Sequence, residues 1–584
     1  MENEEYSNSY LVQAQSLLDS SIGNHESAMS SVAFWRSEIA ASSVYYGAGS
    51  EKHGDSGMTP KDIKKAIESA IPSLVEPFLN KNIVNAKGKD AESDQKSELV
   101  ESRLNYVWNY GMRTLPLMER IARDMMTDGT VFIKTNYNSE GKMPGVEVMN
   151  IDAIITDPSA ESLEDCKFVI ERKKVSVSEI IGNPGWYGKH SFDDLSALGA
   201  SSTTEYDMET VGAESYFNFE ERAQQLIDIS IYYGEVVDSA GSIVNKVIIW
   251  ADDFLINEMD SPYPNGWAHP FDSEVYTRVS GSLYGESIAE LLSVNQRIRT
   301  GLNRAILDSL SRGTNGQRAV KKGALDIVNK GRFSRGENFE YQTQGGLDIW
   351  EGQFAQTPPS VYELLDRIQA DSEELSGISR MNAGLDPRAL NSGVSATASA
   401  LVNSAAERRL LLITRHISAL LESLFRKWID LDVMMLEDDT VAVRVEGNLL
   451  DITGLDMEGN YDLTLDVATI GQKQEKGQQL SMVLQQLAQN PAIPQSITMR
   501  LTSELVETMD MYQLSEELKV LSKQMEQQEQ QPQQPQQPSP EEQIAIQLEI
   551  QAQQAATAKD QSVAQLNEAK AMETFVNTEK ATYE

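Results

Sequence analysis

The order of local patterns along the chain is the feature that most restricts its fold. Up to residue 128 apolar side chains recur mostly at helical spacing, whereas residues 131 to 260 are rich in Val, Ile, Tyr and Phe between turn residues. From about residue 282 the helical spacing returns and continues, with two short strand-like stretches, to residue 523. Helices and strands therefore occupy separate blocks, and this order predicts an α+β fold.

Length and charge limit what such a chain can do. Its 584 residues are enough for two to four core-bearing regions. The formal net charge of −38 argues against nucleic-acid binding over the whole surface, because affinity for a polyanion comes from Lys and Arg. No stretch approaches the roughly 18 apolar residues that cross a bilayer, and the N-terminus MENEEYSNSY is not a secretory signal. These features predict a protein of the cytosol without a membrane span.

The residue types that usually carry chemistry are few and scattered. A single cysteine, Cys166, excludes an internal disulfide, and five dispersed histidines give no zinc-ligand spacing. We expect Cys166 to be a buried thiol and His416 to be a satisfied core or interface histidine. The stretch GNPGWYGKH resembles a phosphate loop, but its glycine spacing to Lys189 is one residue too long.

Two pairs of neighbouring acids, Asp252-Asp253 and Asp438-Asp439, lack a companion motif and are predicted to be solvated turns. The chain is therefore predicted to have no catalytic residues, no metal site and no cofactor. This absence of motifs favours a structural or assembly role over an enzyme.

Breakers and caps predict several element boundaries. Thr59-Pro60 is expected to start a helix with one apolar face, Pro72 and Pro77 to kink or split it, and Asp128-Gly129 to end the next long helix, from about residue 97. The polar segment 191 to 222 is predicted to be an irregular surface loop. The apolar face of the Thr59-Pro60 helix is expected to contain Ile63, Ile67, Ala70, Leu74 and Phe78.

Two helices, at about 282 to 312 and 358 to 377, bracket a glycine-rich insert with short strand-like pieces. The first is expected to have one apolar side, formed by Ile288, Leu291, Leu292, Ile298, Leu302, Ala305, Ile306 and Leu310.

Basic residues are concentrated in the first helix and the insert. The segment from Arg297 to Arg335 has a net charge of +8, so the rest of the chain has −46. A solvated helix face with chance clustering is one explanation, and a surface for a polyanion or an acidic partner is the other. The basic residues are Arg297, Arg299, Arg304, Arg312, Arg318, Lys321, Lys322, Lys330, Arg332 and Arg335.

A flexible stretch and a low-complexity tail complete the pattern. SGISRMNAGLDPRALNSGVSATAS, at 376 to 399, separates the second helix from a long Ala- and Ser-rich helix. MEQQEQQPQQPQQPSP, at 525 to 540, is predicted to be a linker because it cannot bury a core. Beyond it, apolar residues mostly three to four apart predict an amphipathic helix that favours self-association.

The order of these segments resembles the portal proteins of tailed bacteriophages, particularly those of short-tailed phages. The resemblance rests on DGTVFIKTNYN, IDAIITDPSA, SPYPNGWAHPF with SGSLYGESIAELLSVNQ, VKKGALDIVNKGRFSRGE, and GISRMNAGLDPRALNSGVSATA with ERRLLLITRHISALLESLFRKW. Together they cover roughly 120 to 470 in the family's order. They imply a ring, usually of twelve subunits, with an axial channel for double-stranded DNA.

The resemblance also implies a division of the chain into regions and names candidate channel residues. The tunnel loop would present Arg380, Asn382, Arg388 and Asn391 to the channel. The regions would be an N-terminal arm (1–29), a wing (30–283), a first stem helix (284–312), a clip (313–357), a second stem helix (358–377), the tunnel loop (378–396), a long wing helix with strands (397–470), crown helices (471–524), the linker (525–540) and a C-terminal helix (541–584), which some portals extend as a barrel.

Partners follow from the resemblance in the same way. The ring would sit at one capsid vertex of the virion after assembly in the host cytoplasm. It would conduct DNA without sequence specificity, contact major capsid and scaffolding proteins, and dock terminase and then a tail adaptor, with no membrane involved. Two alternatives remain: a cytosolic α+β scaffold or adaptor that oligomerises through its C-terminal helix, and a nucleic-acid-processing enzyme with diverged motifs.

Overall fold

The computed structural model describes most of the chain up to residue 508 and isolated positions beyond it. The described residues are 2–43, 58–201, 205–208, 213–216, 219–238, 240–264, 266–314, 318–320, 325–335, 349–351, 358–378, 396–436, 439–445, 448–467, 470–487, 495–508, 511, 514–515, 517–519, 521–522 and 525. They show a mixed fold of helices and antiparallel sheets, which confirms the predicted class.

Helices of this part range from one turn to more than ten turns. In chain order they are α1 (Glu2–Ser43), α2 (Asp62–Val75), α3 (Ala91–Tyr106), α4 (Thr114–Asp128), α5 (Val177–Gly182), α6 (Pro184–Tyr187), α7 (Phe192–Ser201), α8 (Ile288–Thr314), α9 (Ile327–Arg335), α10 (Pro359–Ser376), α11 (Ala396–Leu436), α12 (Gly454–Met457), α13 (Ile470–Leu487) and α14 (Gln495–Thr508). Short 3₁₀ turns occupy Glu76–Leu79, Ile151–Ala153 and Leu163–Asp165, and a π-helix occupies Val107–Gly111.

The strands are mostly short. They are β1 (Val84–Gly88), β2 (Thr130–Asn138), β3 (Met143–Met149), β4 (Ile154–Thr156), β5 (Phe168–Ser176), β6 (Glu205–Met208), β7 (Ala213–Tyr216), β8 (Leu226–Val237), β9 (Ile243–Ala251), β10 (Phe254–Asp260), β11 (Phe271–Val275), β12 (Arg318–Val320), β13 (Ile349–Glu351), β14 (Val441–Val445), β15 (Asn448–Ile452) and β16 (Tyr461–Leu465).

Two antiparallel sheets organise the β-rich block. The larger has the order β10-β9-β8-β5-β4, and the smaller has the order β11-β2-β3. A separate antiparallel pair joins β1 to β16, with Val84 opposite Leu465, and so brings distant parts of the chain together. Interactions within the sequence block 131–275 therefore form the sheets, as the strand pattern predicts.

Contacts divide the chain into two compact units. The first comprises Met1–Val445 and Leu449–Val467, and the second comprises Glu446–Asn448 and Ala468–Glu584. In the second unit α13 and α14 pack together, and Lys476 pairs with Glu504 at 3.1 Å.

The main core of the first unit packs helices α2, α3 and α4 around α11. Trp428 of α11 lies edge-to-face against Phe425 at 5.1 Å between ring centroids, and Trp108 meets Phe425 at 5.5 Å. Arg103 of α3 and Asp432 of α11 form an ion pair at 3.0 Å with both side chains fully buried. Because a buried charge is costly without its partner, this pair fixes how α3 meets α11.

Helix α1 covers one face of the larger sheet. Tyr10, Leu11 and Ala14 are buried in the core on that face, and the Tyr10 hydroxyl donates to Asp238 at 2.5 Å. Toward the other end of α1, Arg36 bonds Asp128 at 2.9 Å and also contacts Asp152. These contacts hold α1 between Tyr10 and Arg36 to the rest of the first unit.

Several predicted boundaries are confirmed. Ile63, Ile67, Ala70, Leu74 and Phe78 are all buried, as the spacing predicted. Pro72 lies inside α2, and Pro77 lies in the 3₁₀ turn that follows it. Helix α4 ends at Gly129, whose φ of 79° lies in the left-handed region.

Other boundaries were predicted wrongly. Helix α2 begins at Asp62, not at Thr59-Pro60, and Lys61 precedes it without a side-chain cap. The helix predicted to run continuously to Asp128 is interrupted by the π-helix, after which Met112 is extended. Local sequence favours helix throughout this stretch, but burial of Val107 and Trp108 in the core determines where the chain turns.

Segment 191–222 is also not an irregular loop. It contains α7 and the antiparallel hairpin of β6 and β7. Leu195 is fully buried and Leu198 packs beside it on the core of the larger sheet, and this apolar pair accounts for the helix.

Candidate functional site

Helices α8 and α10 form an antiparallel pair that carries the insert at its far end. The first turns of α8, at Ile288 and Leu292, lie in the same core as Ile378 immediately after α10. Further along, Asn295 Nδ2 donates to Ser372 Oγ at 3.1 Å. The start of one helix therefore lies beside the end of the other, and residues 315–358 connect their other ends.

The base of this pair is fixed by buried polar contacts. The backbone N–H of Ile63 donates to Gln296 Oε1 at 3.1 Å, and the N–H of Glu290 donates to Ser287 Oγ at 3.1 Å. Because Ser287 caps the helix, α8 begins at Ile288, and the prediction that it begins near residue 282 was wrong.

Beyond the base, most of the predicted apolar side of α8 is not buried. Ile288 and Leu292 are buried, but Ile298 is 45% exposed and Leu310 is 64% exposed. The spacing was that of an amphipathic helix, but in the described part of the chain the contacts of the second half of α8 leave Ile298 and Leu310 exposed.

Two of the predicted basic site residues bind within the chain. Arg299 Nη1 contacts Asp62 Oδ1 at 2.7 Å. Arg304 donates through Nε to the carbonyl of Met58 at 3.0 Å and through Nη2 to Thr59 Oγ1 at 3.0 Å. These guanidinium groups therefore tie α8 to the start of α2 and to the residues before it, and Arg297 is exposed.

The insert contains a short helix that the sequence did not predict, together with predicted strand pieces. Strands β12 and β13 pair with Arg318 opposite Glu351. Helix α9 starts after Asp326, whose Oδ1 accepts from the N–H of Asn329 at 2.9 Å. On α9, Lys330 and Arg332 are exposed, and Ile327 is 91% exposed. The helix therefore presents both basic and apolar groups to solvent.

Other predicted site residues lie outside the described part. The tunnel-loop candidates Arg380, Asn382, Arg388 and Asn391 are outside it, as are Lys321 and Lys322. For Arg312, Arg318 and Arg335 the described part includes only the backbone. The linker and the C-terminal helix predicted beyond residue 525 also lie outside it.

Two grooves flank α10 near its base. One, of about 150 Å³, lies toward α2 and is lined by Asp62 and Glu373 among others. The other, of about 620 Å³, is walled by Leu291, Leu375 and Leu412 and rimmed by acids, including Asp371. The apolar walls and acidic rim of the larger groove suit contact with an apolar, basic surface.

Four residues considered as possible reactive or metal-binding groups have surroundings that suit a structural role. Cys166 is buried, and burial raises the pKa of its thiol to about 12, which leaves it unreactive. His416 bonds Glu274 at 3.1 Å on the half-buried side of α11. Asp252 and Asp253 are exposed in the turn between β9 and β10. The predictions for these four residues are confirmed.

No group of three or more metal-ligating side chains occurs among the described residues. In that same part, none of the helices combines the length and the apolar character needed to span a bilayer.

Sequence reasoning missed the residues that hold the pair at its base. Asp62, Gln296 and Ser372 are polar positions within amphipathic helices, where a solvated side chain is the usual expectation. A sequence signal existed for Gln296 alone, because it lies on the same face as Leu292 four residues earlier.

Comparison with known proteins identifies a family. The family model described as "Phage SU10 portal protein" matches residues 11–143 and 138–556. A solved structure described as "Neck of empty GTA particle computed with C6 symmetry" contains a similar chain, at 13% sequence identity and a TM-score of 0.37. That similarity covers 73% of this chain and 90% of the other. The family match confirms the resemblance drawn from the sequence.

Proposed function

The chain belongs to the phage SU10 portal protein family, and from this premise we propose that it assembles into a ring that conducts double-stranded DNA. The ring would contain twelve copies, occupy one capsid vertex of the virion, and act in both packaging and ejection. It would assemble in the host cytoplasm with major capsid and scaffolding proteins. Its action would be non-enzymatic, with the motor activity supplied by terminase.

One observation carries this proposal: an antiparallel helix pair has its base in the core of an acidic chain and carries a basic insert between its other ends. In this scheme α8 and α10 are the stem, residues 313–357 are the clip and 378–396 are the tunnel loop. The wing is residues 30–283 with 397–470, and α13 and α14 belong to the crown.

The charge distribution favours passage of DNA through the ring over tight binding of DNA. Each phosphate neutralised by Lys or Arg adds affinity and salt dependence, so a basic channel would hold DNA in place. Outside residues 297–335 the chain has a net charge of −46, which disfavours such retention. The arginines Arg380 and Arg388 of the proposed tunnel loop would then make local, reversible phosphate contacts.

The exposed basic and apolar groups of α9 support a docking role for the clip. Lys330 and Arg332 lie beside the 91% exposed Ile327, a combination that fits an acidic protein surface with apolar contacts. We propose that terminase docks here during packaging and the tail adaptor docks afterwards.

A paired charge reversal tests this role. Lys330→Glu with Arg332→Glu should leave rings intact in negative-stain images but reduce DNA packaging or adaptor attachment at least tenfold, because like charges then face the partner. The matched control is Lys167→Glu with Lys189→Glu, which makes the same charge change at exposed body positions. Normal packaging and attachment in the first variant would refute the docking role.

A further inference from the structure

The sheet of β1 and β16 has two outer edges, and its ladder shows which backbone groups point to them. Asp466 donates its N–H to the carbonyl of Ile83 at 2.8 Å, so these two residues form a hydrogen-bonded pair. In an antiparallel ladder such pairs alternate with pairs that are not bonded to each other. Val84 and Leu465, the next opposed residues, therefore direct their N–H and C=O groups to the outer edges of the sheet.

The outer edge of β1 is bonded to side chains of α3. Asn105 accepts through Oδ1 from the N–H of Val84 at 3.1 Å and donates through Nδ2 to the carbonyl of Val84 at 3.0 Å. The N–H of Ala86 donates to Glu101 Oε2 at 3.4 Å. Covering an edge in this way prevents another strand from pairing with it. The chain itself therefore closes the β1 edge.

The outer edge of β16 has no such cover. Its outward groups belong to Tyr461, Leu463 and Leu465, because every second residue of the strand faces the same edge. No residue that the structure describes makes a hydrogen bond to the backbone of these three. The edge of β11 differs, because Lys427 of α11 donates to the carbonyl of Phe271 at 2.8 Å. The β16 edge can therefore pair with a further strand.

The side chains of β16 indicate which residues such a strand would need. Tyr461 and Leu463 face the main core and are 8% and 4% exposed, whereas Asp462 and Asp466 lie on the exposed face. Asp462 already pairs across the sheet with Lys89 at 3.3 Å. Opposite charges on neighbouring strands stabilise a sheet. An added strand would therefore place apolar residues toward the core and basic residues beside the two acids.

A groove of about 440 Å³ lies at the start of β16, between the residues that lead into the strand and α11. Its walls include Tyr263, Val433 and Met434, and Asp430 and Glu458 also line it. Met434 is 40% exposed, and methionine adapts its shape to different apolar groups. The groove therefore offers an apolar side chain a place to pack next to the open edge, again with acids nearby.

We propose that the outer edge of β16 is a docking site for an extended segment of another protein, which adds a third strand to the sheet. The segment alternates apolar and basic residues. Main-chain hydrogen bonds give such a complex its affinity, and the side chains give it specificity. Pairing of this edge with the same edge of a second copy is disfavoured, because both copies present Asp462 and Asp466. The inference goes beyond the proposed ring and does not depend on it.

A proline substitution tests the main-chain bonds. The N–H of Leu465 points outward, so Leu465→Pro leaves the ladder with β1 intact and removes one donor from the open edge. Leu465→Ala is the matched control, because it loses the same side chain and keeps the donor. The probe is a labelled seven-residue peptide of alternating Lys and Val, and binding to the full chain is measured by fluorescence anisotropy. Leu465→Pro should bind the peptide about tenfold more weakly than Leu465→Ala. Equal affinities would overturn the proposal.

Modified peptides control for general attraction between a basic peptide and a chain of net charge −38. The same peptide with N-methyl groups on alternate residues keeps its charge but loses the donors on one edge. One of the two alternating methylation patterns should weaken binding about tenfold, and the other should change it little. Two patterns with equal effects would overturn the proposal, and so would wild-type protein that does not bind the unmodified peptide at millimolar concentration.

A charge reversal keeps the proposal testable if the proline variant does not fold. Asp462→Lys with Asp466→Lys should reverse the preference, so that a peptide of alternating Glu and Val binds more tightly than the Lys and Val peptide. An unchanged preference would contradict the proposed selection by these acids. Ring formation, measured by mass photometry, should be the same in Leu465→Pro and Leu465→Ala. Loss of rings in Leu465→Pro alone would assign the edge to a second copy and overturn the proposal, whereas wild-type protein without rings would refute only the proposed function.

Discussion

At the scale of single residues, two neighbouring acids on α4 illustrate how burial changes acidity. Asp124 and Asp128 are one turn apart, and the Arg36 guanidinium binds Asp128 at 2.9 Å. Burial, reinforced by the charge of Asp128, raises the pKa of Asp124 to about 6. Burial also raises the pKa of Asp128 above its ordinary value. The three carboxyl groups of Asp124, Asp128 and Asp152 therefore outnumber the two arginines beside them, Arg36 and Arg120.

This arrangement predicts a pH-dependent stability. A carboxyl whose pKa rises on folding binds its proton more tightly in the folded state, so the free energy of unfolding falls as pH rises from about 4 to about 6. Asp124→Asn should remove the part of that fall that Asp124 contributes and raise the free energy of unfolding at pH 7.5 by about 1 to 3 kcal/mol. The variant also loses the partly exposed contact between Asp124 and Arg120 at 3.4 Å, and this loss should change the free energy of unfolding little.

Urea unfolding at a series of pH values measures the effect. Asp193→Asn is the control, because the side chain of Asp193 is 82% exposed. A variant whose stability follows wild type at every pH would show that Asp124 ionises normally in the folded protein.

At the scale of elements, two glycines determine where α8 leaves the body. Gly129 has a φ of 79°, and a Cβ added there would lie 2.3 Å from the carbonyl oxygen of Gly285. A Cβ on Gly285 would lie 2.6 Å from the carbonyl oxygen of Gly129. Since Ser287 caps α8 two residues after Gly285, this close approach sets the starting point of the helix pair.

Gly129→Ala should lower the free energy of unfolding by about 3 kcal/mol, because backbone strain and a clash add together. Gly241→Ala is a matched control with the same φ of 79° but no atom within 4 Å of the added Cβ. That control should lose only about 1 kcal/mol, the cost of the left-handed conformation. Thermal unfolding of both variants gives the comparison, and equal losses would show that the contact with Gly285 is unimportant.

Sequence reasoning located elements better than it located their ends or their contacts. The sequence predicted α10 from the prolines at its start and the glycine at its end, and it predicted α11 from a long apolar stripe. Both are local signals. The end of α4 at Gly129 was predictable for the same reason. The π-helix was not, because the burial of Trp108 by α11, about 320 residues later, decides it.

The candidate site shows the same limit. The excess of basic residues in α8 and the insert was visible, but the ion pair of Arg299 with Asp62 depends on α2 lying beside α8. Only the three-dimensional arrangement shows that Arg299 and Arg304 tie α8 to the start of α2. Spacing predicted an apolar side for α8, but it does not say whether the same chain covers that side.

At the scale of the whole molecule, the proposed ring depends on the body and the helix pair. Deleting residues 541–584 should leave rings intact, because in the proposed ring the contacts between subunits are made by the wing and the stem. A scaffold that oligomerises through its C-terminal helix should instead fall to monomers. Negative-stain microscopy and light scattering of the truncated protein distinguish the two, and monomers after truncation would contradict the proposed ring contacts.

The length of helix α11 has consequences for how the protein responds to force and for its fluorescence. Its 41 residues span about 60 Å. The helix begins directly after residues 379–395, and its C-terminal half lies in the aromatic core. Packing of Trp428 and the Arg103–Asp432 ion pair fix the C-terminal half of α11 in the core. We expect a continuous helix fixed in this way to transmit a force along its axis. A force applied near residue 396 should therefore act on the packing of Trp108 against Trp428, whose ring centroids are 6.4 Å apart. We therefore expect the fluorescence of Trp108 and Trp428 to change when α11 is loaded along its axis.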